Sequence, residues 1–330
     1  MKPGKNIRVA VIGVGQMGRN HVRVYSQLRG VELVAVVDTD PVNLQETVSR
    51  VGCPGHAALE PILGRVDAVS VVTPPGTHAR IGTFLMDHGI HCLIEKPLAI
   101  SEEQGRQLID AAARNNVVLL VGHIERFNPA VQALYGLLAQ GSRIHAMDVR
   151  RMSSASARIT DVDVIADLMT HDLDIVMNLM NQPVTRVVAG CVRTPDSGGG
   201  DYVSALLGFE GGAMAAVTAS RMTKNRVREL TVTSDLGWLM VNFITQELFI
   251  HRQGPGLGGA GPSGPRYSWD HSVERVSVRP AESLAVELAH FIDAVRGGVP
   301  PLVTGQQALD VLKVARKIRL GADGVGGDAE

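Results

Sequence analysis

Residues 7–18 read IRVAVIGVGQMG, and this stretch decides the fold of the N-terminal part of the chain. Its first half is a short apolar run rich in β-branched residues, which predicts a buried strand. Its second half is glycine-rich and leads into a segment of helical character at 16–29. A second apolar run, VELVAVV, follows at 31–37. The sequence therefore predicts a βαβ unit with a glycine-rich turn after its first strand.

The glycine-rich turn has the spacing of a dinucleotide-binding fingerprint. Its glycines permit a tight turn, close approach of a pyrophosphate and close packing of the helix, whose N-terminus faces the phosphate charge. Asp38 ends the second strand, where a carboxylate accepts hydrogen bonds from the ribose of NAD and repels the 2′-phosphate of NADP. The alternative for Asp38 is a cap on the helix that begins near Pro41. The predicted NAD site contains Gly13, Gly15, Gln16, Met17, Gly18 and Asp38.

The alternation of strands and helices continues to about residue 121. Strands that are apolar throughout and alternate with helices are typical of a parallel sheet covered on both faces. The sequence therefore predicts an α/β fold with a doubly wound Rossmann domain over residues 1–123. The further predicted elements are helices at 41–50 and 77–88 and from Ser101, and strands at 66–72, 90–94 and 117–121.

From residue 124 the strands become longer and alternate between apolar and polar residues. This pattern predicts an α+β domain over residues 124–330 with a large, mostly antiparallel sheet, one face of which is open to a ligand or a partner subunit. The Gly/Pro-rich stretch 254–265 is predicted to be an irregular loop. The predicted strands are 143–151, 185–193, 202–209, 213–220, 227–234, 237–242 and 247–251, and the last helices are 282–296 and 305–319.

Composition narrows the class of protein. The chain has 330 residues, 45% of them hydrophobic and 20% charged, which favours a globular protein of two domains. The net charge of -1 gives no excess charge for binding nucleic acid or an anionic membrane. Cys53, Cys92 and Cys191 are odd in number and lack metal-ligand spacing, which favours free thiols in a reducing compartment. With no signal peptide or long apolar segment, we expect a cytoplasmic protein.

Two further motifs follow strands of the predicted parallel sheet. Residues 73–78 (TPPGTH) follow one strand, and 95–97 (EKP) follow the next. Burying an acid and a base at this edge costs free energy, so Glu95 and Lys96 favour a functional role. The alternative is an ion pair at the surface. Because ligands of open α/β sheets bind at the carboxyl ends of the strands, we expect contacts to the cofactor from Thr73, Pro74, His78, Glu95 and Lys96, with Lys96 beside the nicotinamide.

A helical segment of the second domain carries an acid, an imidazole and an acid. At about 100° per residue, Asp167, His171 and Asp174 lie within about 60° of one another. His171 is the natural candidate for a general base, because the unperturbed pKa of histidine lies near neutrality, and a carboxylate can orient its ring. The alternatives are a solvated polar face and a metal site, for which no fourth ligand is evident. Asp172 falls on the apolar side, and the sequence does not explain it.

The motifs GVGQMG, TPPGTH and EKP, together with Asp38 and the D-x-x-x-H helix, resemble in this order those of the Gfo/Idh/MocA oxidoreductase family. The resemblance covers nearly the whole chain and implies NAD-dependent oxidation of a sugar hydroxyl. It implies that Lys96 and His171 act at the reacting hydroxyl, with Asp167 as the family aspartate one turn earlier. It also implies a homodimer or homotetramer that pairs C-terminal sheets.

A narrower resemblance lies in residues 122–129 (GHIERFNP) and 171–174 (HDLD). These segments are similar to the nucleotide-sugar members of the family, the UDP-N-acetylglucosamine 3-dehydrogenases above all. The implied product is a 3-keto sugar, which a partner enzyme such as an aminotransferase would consume. Arg126 either positions the substrate or its diphosphate, or it is a helix-entry arginine that packs on the domain junction. The implied substrate contacts are Lys96, His123, Arg126, Asn128, Asp167, His171 and Asp174, with Arg150, Arg151, Arg158 and Arg221 as further candidates for the diphosphate.

Two other functions fit the same motifs. One is a family enzyme that oxidises a free polyol or sugar, such as an inositol. The other is a non-catalytic NAD-binding regulator, which should lack the charged groups that Glu95, Lys96 and His171 supply. We expect no metal, nucleic acid or membrane partner.

Overall fold

The computed structural model describes residues 6–154, 163–194, 200–253, 260–261, 264–265 and 271–324. The chain forms two compact units. The first contains Met1–Phe127 and Ala281–Lys313, and the second contains Asn128–Pro280 and Val314–Glu330.

The first unit is built on a parallel sheet. All neighbouring strands are parallel, in the order β3-β2-β1-β4-β5-β6, which confirms the predicted doubly wound domain. The order reverses between β1 and β4, and ligands of such sheets bind outside the carboxyl ends of the strands at that point. The strands are β1 (Ile7–Ile12), β2 (Val31–Val37), β3 (Gly55–His56), β4 (Ala68–Val71), β5 (His91–Glu95) and β6 (Leu119–Gly122), and the helices between them are α1 (Gln16–Tyr25), α2 (Pro41–Val51), α3 (His78–Asp87) and α4 (Glu102–Arg114).

The second unit contains a large sheet of eight strands in the order β16-β13-β12-β11-β7-β10-β9-β8. Its neighbouring strands are antiparallel except for β7 and β10, which confirms the predicted, mostly antiparallel sheet. The strands are β7 (Ile144–Ser154), β8 (Val184–Val192), β9 (Tyr202–Phe209), β10 (Met214–Ser220), β11 (Met222–Ser234), β12 (Gly237–Asn242), β13 (Glu247–Gln253) and β16 (His271–Arg275).

Two helices of the second unit pack on one face of this sheet. They are α5 (Pro129–Leu138), which contacts β12 and β13, and α6 (Thr170–Met180), which contacts β7 and β10. Because side chains alternate along a strand, every second residue is buried beneath the helices, as Val149, Val217 and Val241 are. The residues between them lie on the opposite face and include large exposed apolar side chains.

The last part of the chain divides differently from the sequence prediction, which placed all of residues 124–330 in one domain. Helix α7 (Ser283–Val295) lies in the first unit, where Leu288 and Phe291 are fully buried in the same core as the parallel strands. The backbone N–H of Val121 in β6 also donates to the carbonyl of Val303 at 3.2 Å. Helix α8 (Gly305–Ala322) begins in the first unit and ends in the second. The apolar face of α7 packs against the core of the parallel sheet. A division of the chain at one point along the sequence does not predict this packing.

Two predicted segments differ locally. Within 254–265, predicted to be irregular, the short strands β14 (Ala260–Gly261) and β15 (Gly264–Pro265) pair with each other, and the remaining residues lie outside the described part of the chain. The helical segment that carries Asp167 is not uniformly α-helical, because a π-helical segment at Ile165–Met169 precedes α6. The wider π turn breaks the assumed spacing of 100° per residue between Asp167 and His171.

No helix in the described ranges combines the length and the apolar character needed to cross a membrane.

Cys53, Cys92 and Cys191 are free thiols, and the first two are buried.

Candidate functional site

The glycine turn after β1 is shaped by close packing. Gly13 has a φ of 86°, and a side chain there would collide with the carbonyl oxygen of Val72 at the end of β4. A side chain on Gly18 would collide with the carbonyl of Gly13. Gly15 differs, because no described atom lies within 4 Å of the position that its side chain would take. The turn therefore leaves an open approach at Gly15 and at the N-terminus of α1, where Gln16 and Met17 present backbone N–H groups that no described side chain caps.

Asp38 ties the end of β2 to the glycine turn. Its Oδ2 accepts a hydrogen bond from the backbone N–H of Val14 at 2.7 Å, and its Oδ1 accepts one from Asp40 at 2.8 Å. The cap of α2 is Asp40, whose carboxylate accepts from the N–H groups of Val42 and Asn43. The capping role considered for Asp38 thus belongs to Asp40, and the Asp38 carboxylate lies beside the turn with further lone pairs to offer a ribose hydroxyl.

His78 joins the loops that follow β4 and β5. Its ring is fully buried, with Nε2 at 2.8 Å from the carbonyl oxygen of Thr73 and Nδ1 at 3.0 Å from that of Pro97. Burial lowers the pKa of this imidazole. Thr73 also lies close to Gly13, and its hydroxyl bonds that of Thr77 at 2.7 Å. His78, predicted to contact the cofactor, is therefore engaged by protein carbonyls, while Thr73 and Pro74 lie at the carboxyl edge beside the glycine turn.

Glu95 is buried, which removes the alternative of a surface ion pair with Lys96. Its Oε1 lies 3.1 Å from Nε2 of His21, and its Oε2 accepts from the backbone N–H of Lys96 at 3.2 Å. Burial raises the pKa of the Glu95 carboxyl, but the hydrogen bond to His21 and the charges of His21 and Lys96 lower it by more, so the pKa lies below its usual range. Gly122 leaves room for this carboxylate, since a Cβ there would lie 3.0 Å from Cδ of Glu95.

His21 is the residue that sequence reasoning missed in this unit. It lies three residues after Gly18 and belongs with Gly18, Val22 and Tyr25 to the buried side of α1. A histidine on the sheet-facing side of the helix is the signal that could have drawn attention to it, because a buried imidazole needs a polar partner.

Asp167, His171 and Asp174, predicted to form one stripe of a regular helix, differ in local backbone structure and in burial. Asp167 lies in the π-helical segment, and its Oδ2 accepts from Nη2 of Arg221 at 3.1 Å. His171 is half-buried in the first turn of α6, whereas Asp174 is almost completely buried. A solvated polar face therefore does not describe the stripe. The described residues include no cluster of three or more His, Cys, Asp or Glu side chains suited to a metal ion.

Asp172, unexplained by the sequence, forms a buried ion pair with Arg151 of β7. The Asp172 carboxylate accepts from Nη2 of Arg151 at 2.8 Å and from Nε at 3.0 Å, with both side chains at most 2% exposed. The guanidinium also lies 5.2 Å from the ring centroid of Phe243. Removing one member of such a pair typically costs about 3 to 5 kcal/mol. The pair therefore fixes the helix of His171 to the sheet of the second unit.

The segment 122–129 is largely buried. His123 and Arg126 are each 2% exposed. Asn128 caps α5 by accepting from the N–H of Ala130 at 3.1 Å, and it donates from Nδ2 to the carbonyl of Phe243 at 3.0 Å. The structure thus gives Asn128 a structural role, and its predicted substrate contact stays a prediction.

The arginines considered for a diphosphate fall into distinct environments. Arg126 and Arg151 are buried. Arg150 is exposed and lies 3.3 Å from Asp148. Arg221 pairs with Asp167, and Arg158 lies outside the described residues.

The two units correspond to two known domain families. Residues 7–123 match the oxidoreductase family with an NAD-binding Rossmann fold of the Gfo/Idh/MocA type. Residues 143–240 match the Gfo/Idh/MocA C-terminal domain.

Similar proteins include enzymes that act on nucleotide sugars and on polyols. The UDP-N-acetylglucosamine 3-dehydrogenase of Acidithiobacillus ferrooxidans is 31% identical over 96% of this chain and 98% of its own. A solved structure of that enzyme superimposes with a TM-score of 0.88 at 29% identity, over 97% of this chain and 99% of the other. The inositol 2-dehydrogenase of Pseudarthrobacter chlorophenolicus is 29% identical over 64% of this chain and 66% of its own. The scyllo-inositol dehydrogenase of Lactobacillus casei, solved with NAD(H), shares the fold with a TM-score of 0.81 at 17% identity over 97% and 98%.

Because Gly15 faces open space, a substitution there can change NAD binding without changing the stability of the fold. We predict that Gly15→Ala leaves the thermal unfolding temperature nearly unchanged, because the added methyl group meets no protein atom, but weakens NAD binding at least 10-fold because it occupies the approach of the pyrophosphate. Fluorescence titration with NAD and a thermal melt measure the two effects. As a matched control, Gly136→Ala in α5, which also has no neighbour within 4 Å, should leave the affinity for NAD unchanged. Equal NAD affinity in Gly15→Ala and the unmodified protein would contradict the assignment.

Proposed function

Since the chain belongs to the Gfo/Idh/MocA family of NAD-dependent oxidoreductases, we propose that it oxidises the 3-hydroxyl of UDP-N-acetylglucosamine to a ketone. The observation that carries this proposal is the full-length similarity to a UDP-N-acetylglucosamine 3-dehydrogenase, which covers 96% of this chain and 98% of that enzyme. The related inositol 2-dehydrogenase matches about two-thirds of the chain. Oxidation of a free polyol is therefore the second candidate.

The residues of the first unit fit NAD. The open approach at Gly15 and the first N–H groups of α1 suit a pyrophosphate, and the Asp38 carboxylate suits the ribose hydroxyls. NAD, when bound, supplies a hydride acceptor at C4 of the nicotinamide. The same carboxylate disfavours a 2′-phosphate, so NAD rather than NADP is the expected partner of this site.

Two protein side chains act at the reacting hydroxyl. One holds its oxygen, and the other accepts its proton. In our proposal Lys96 donates a hydrogen bond to the reacting oxygen, and His171 accepts the hydroxyl proton as general base. Asp167, one turn before His171 and held by Arg221, supplies negative charge that favours the imidazolium formed after proton transfer. The ion pair between Arg151 and Asp172 keeps the helix of His171 in place.

The diphosphate of the substrate requires a cationic contact, and the ketone product requires an enzyme that consumes it. Among the arginines considered for the diphosphate, we favour Arg221, because it lies beside Asp167 of the proposed site. Alcohol oxidation by NAD is uphill near neutral pH, so we also propose an enzyme downstream that consumes the ketone, such as an aminotransferase.

We further propose that the exposed face of the large sheet pairs with a second copy of the chain. Val188, Leu206 and Met214 on the neighbouring strands β8, β9 and β10, and Trp238 on β12 of the same sheet, are 40 to 50% exposed on this face. Apolar patches of this kind are typical of subunit interfaces. Symmetric pairing of two identical faces would form a dimer, which is either the expected homodimer or one half of the expected homotetramer.

Loss of either group that contacts the reacting hydroxyl should abolish most turnover. We predict that Lys96→Ala and His171→Ala each lower kcat by about 100- to 10,000-fold, since a positioned acid or base contributes that much, while the Kd for NAD changes little. Steady-state kinetics and NAD titration measure the two quantities. The matched controls, Lys224→Ala and His88→Ala, remove an exposed lysine and an exposed histidine and should keep normal turnover. Near-normal kcat in Lys96→Ala or His171→Ala would remove that residue from the mechanism.

The substrate assignment is tested by binding and product analysis together. We expect the NAD-loaded protein to bind UDP-N-acetylglucosamine in isothermal titration, and the product, trapped as its oxime, to be a 3-keto sugar by mass spectrometry. Inositols and free hexoses serve as the comparison set. Absence of binding to the nucleotide sugar together with turnover of a free polyol would transfer the assignment to the second candidate.

The subunit interface is tested by a charge on the apolar face. We predict a dimer or tetramer by sedimentation equilibrium, and a shift to smaller species in Leu206→Glu because a buried, unpaired carboxylate is strongly unfavourable at an interface. Val299→Glu, at an equally exposed position of the first unit, is the control and should leave the assembly intact. A monomeric unmodified protein, or an unchanged assembly in Leu206→Glu, would contradict this interface.

A further inference from the structure

Asp38 belongs to a closed ring of hydrogen bonds that joins the glycine turn to the start of α2. Its two carboxylate oxygens accept from the backbone N–H groups of Val14 and Asp40. Asn43, in the first turn of α2, donates from Nδ2 to Oδ2 of Asp40 at 3.0 Å. Arg19 of α1 closes the ring, because its Nη2 donates to Oδ1 of Asn43 at 2.6 Å and its Nε donates to the carbonyl of Val14 at 3.2 Å. Val14 is therefore held at both of its backbone polar groups.

The chemistry of the ring suits an arginine and an asparagine at these two positions. The guanidinium of Arg19 carries its Nε and Nη donors in one rigid plane, so it can reach the turn and α2 together, whereas a lysine has a single nitrogen. The amide of Asn43 presents its oxygen to this cation and its NH₂ group to the carboxylate of Asp40. An aspartate at position 43 would instead place two carboxylates against each other.

The ring, and not a surface ion pair, holds Arg19 in place. Arg19 also lies 3.0 Å from Glu46, but 33% of the Arg19 side chain and 53% of the Glu46 side chain are exposed. Exposed ion pairs contribute little to stability. The hydrogen bonds from Arg19 to Val14 and Asn43 are partly buried and charge-assisted, which makes each about twice as strong as a neutral one.

We propose that Arg19 and Asn43 are positioning residues, which hold the Asp38 carboxylate where it accepts hydrogen bonds from the adenosine ribose of NAD. They act through Asp38 and do not themselves contact the cofactor. A group that is held in place before binding loses less entropy when the ligand arrives, so the ring increases the affinity for NAD. The inference rests on the proposed contact between Asp38 and the ribose, and it does not depend on the identity of the sugar substrate.

Titration of the full-length protein with NAD measures the contribution of the ring. Arg19→Leu and Asn43→Ala should each raise the Kd for NAD by about 3- to 10-fold, because the net contribution of one hydrogen bond corresponds to a factor of that size. A thermal melt shows whether each variant is folded.

Two matched controls lie beside the ring but outside it. Glu46→Gln removes the exposed ion pair with Arg19 and keeps the ring. Arg23→Leu makes the same substitution one turn later in α1, where the arginine pairs with Glu282. Both variants should keep the Kd for NAD within about 2-fold of the unmodified protein, since both remove only an exposed pair.

A double-mutant cycle with Asp38 separates positioning from general packing of α1. Asp38→Ala should raise the Kd for NAD by about 10-fold or more, because hydrogen bonds to a charged group are lost. In that background Arg19→Leu should cause no further loss, since the carboxylate that it positions is absent. If Arg19→Leu fails to fold, the same cycle is measured with Asn43→Ala.

The outcomes of this cycle distinguish the two assignments. A full additional loss of NAD affinity in the double variant would overturn the positioning role, because Arg19 would then act by another route. An unchanged Kd in the folded Arg19→Leu and Asn43→Ala variants, beside a weakened Asp38→Ala, would overturn the positioning role alone. An unchanged Kd in Asp38→Ala would contradict the proposed ribose contact itself, and the inference with it.

Discussion

The first unit depends on one close approach of backbone to backbone. At the point where the strand order reverses, the turn after β1 passes so near the end of β4 that Gly13 cannot carry a side chain against Val72. Gly18 cannot carry a side chain either, because its helix packs against the same turn. These two contacts fix the start of α1 at the carboxyl edge of the sheet. Asp38, His78 and Glu95 then reach the same edge from the ends of three other elements.

Much of this arrangement could be predicted from the sequence because it depends on local patterns. Unbroken apolar runs define the parallel strands, and glycine spacing defines the turn between β1 and α1. The motif residues Thr73, Glu95 and Lys96 follow strands directly, so their placement at the carboxyl edge needs no knowledge of distant contacts. The same holds for the alternating strands of the second unit. The position of α7 could not be predicted in this way, since an amphipathic helix does not encode which of two cores it covers.

The contacts that sequence reasoning missed are pairs between distant residues. His21 and Glu95 are 74 residues apart, and Arg151 and Asp172 come from a strand and a helix. Single residues of this kind show no periodicity, and only the structure identifies the partner that makes their burial tolerable. The segment 122–129, which resembles a substrate-binding motif, also makes a structural contact of this kind, because the side chain of Asn128 caps a helix.

The function proposed here requires that hydride leaves C3 of the sugar and arrives at C4 of the nicotinamide, while protein groups manage the proton of the hydroxyl. UDP-N-acetylglucosamine deuterated at C3, incubated with the protein and NAD in the presence of a ketone trap, tests this most directly. The account predicts that mass spectrometry finds the deuterium in the reduced nicotinamide ring. Reduced cofactor without deuterium, or a labelled sugar recovered unchanged while a free polyol is oxidised, would contradict it.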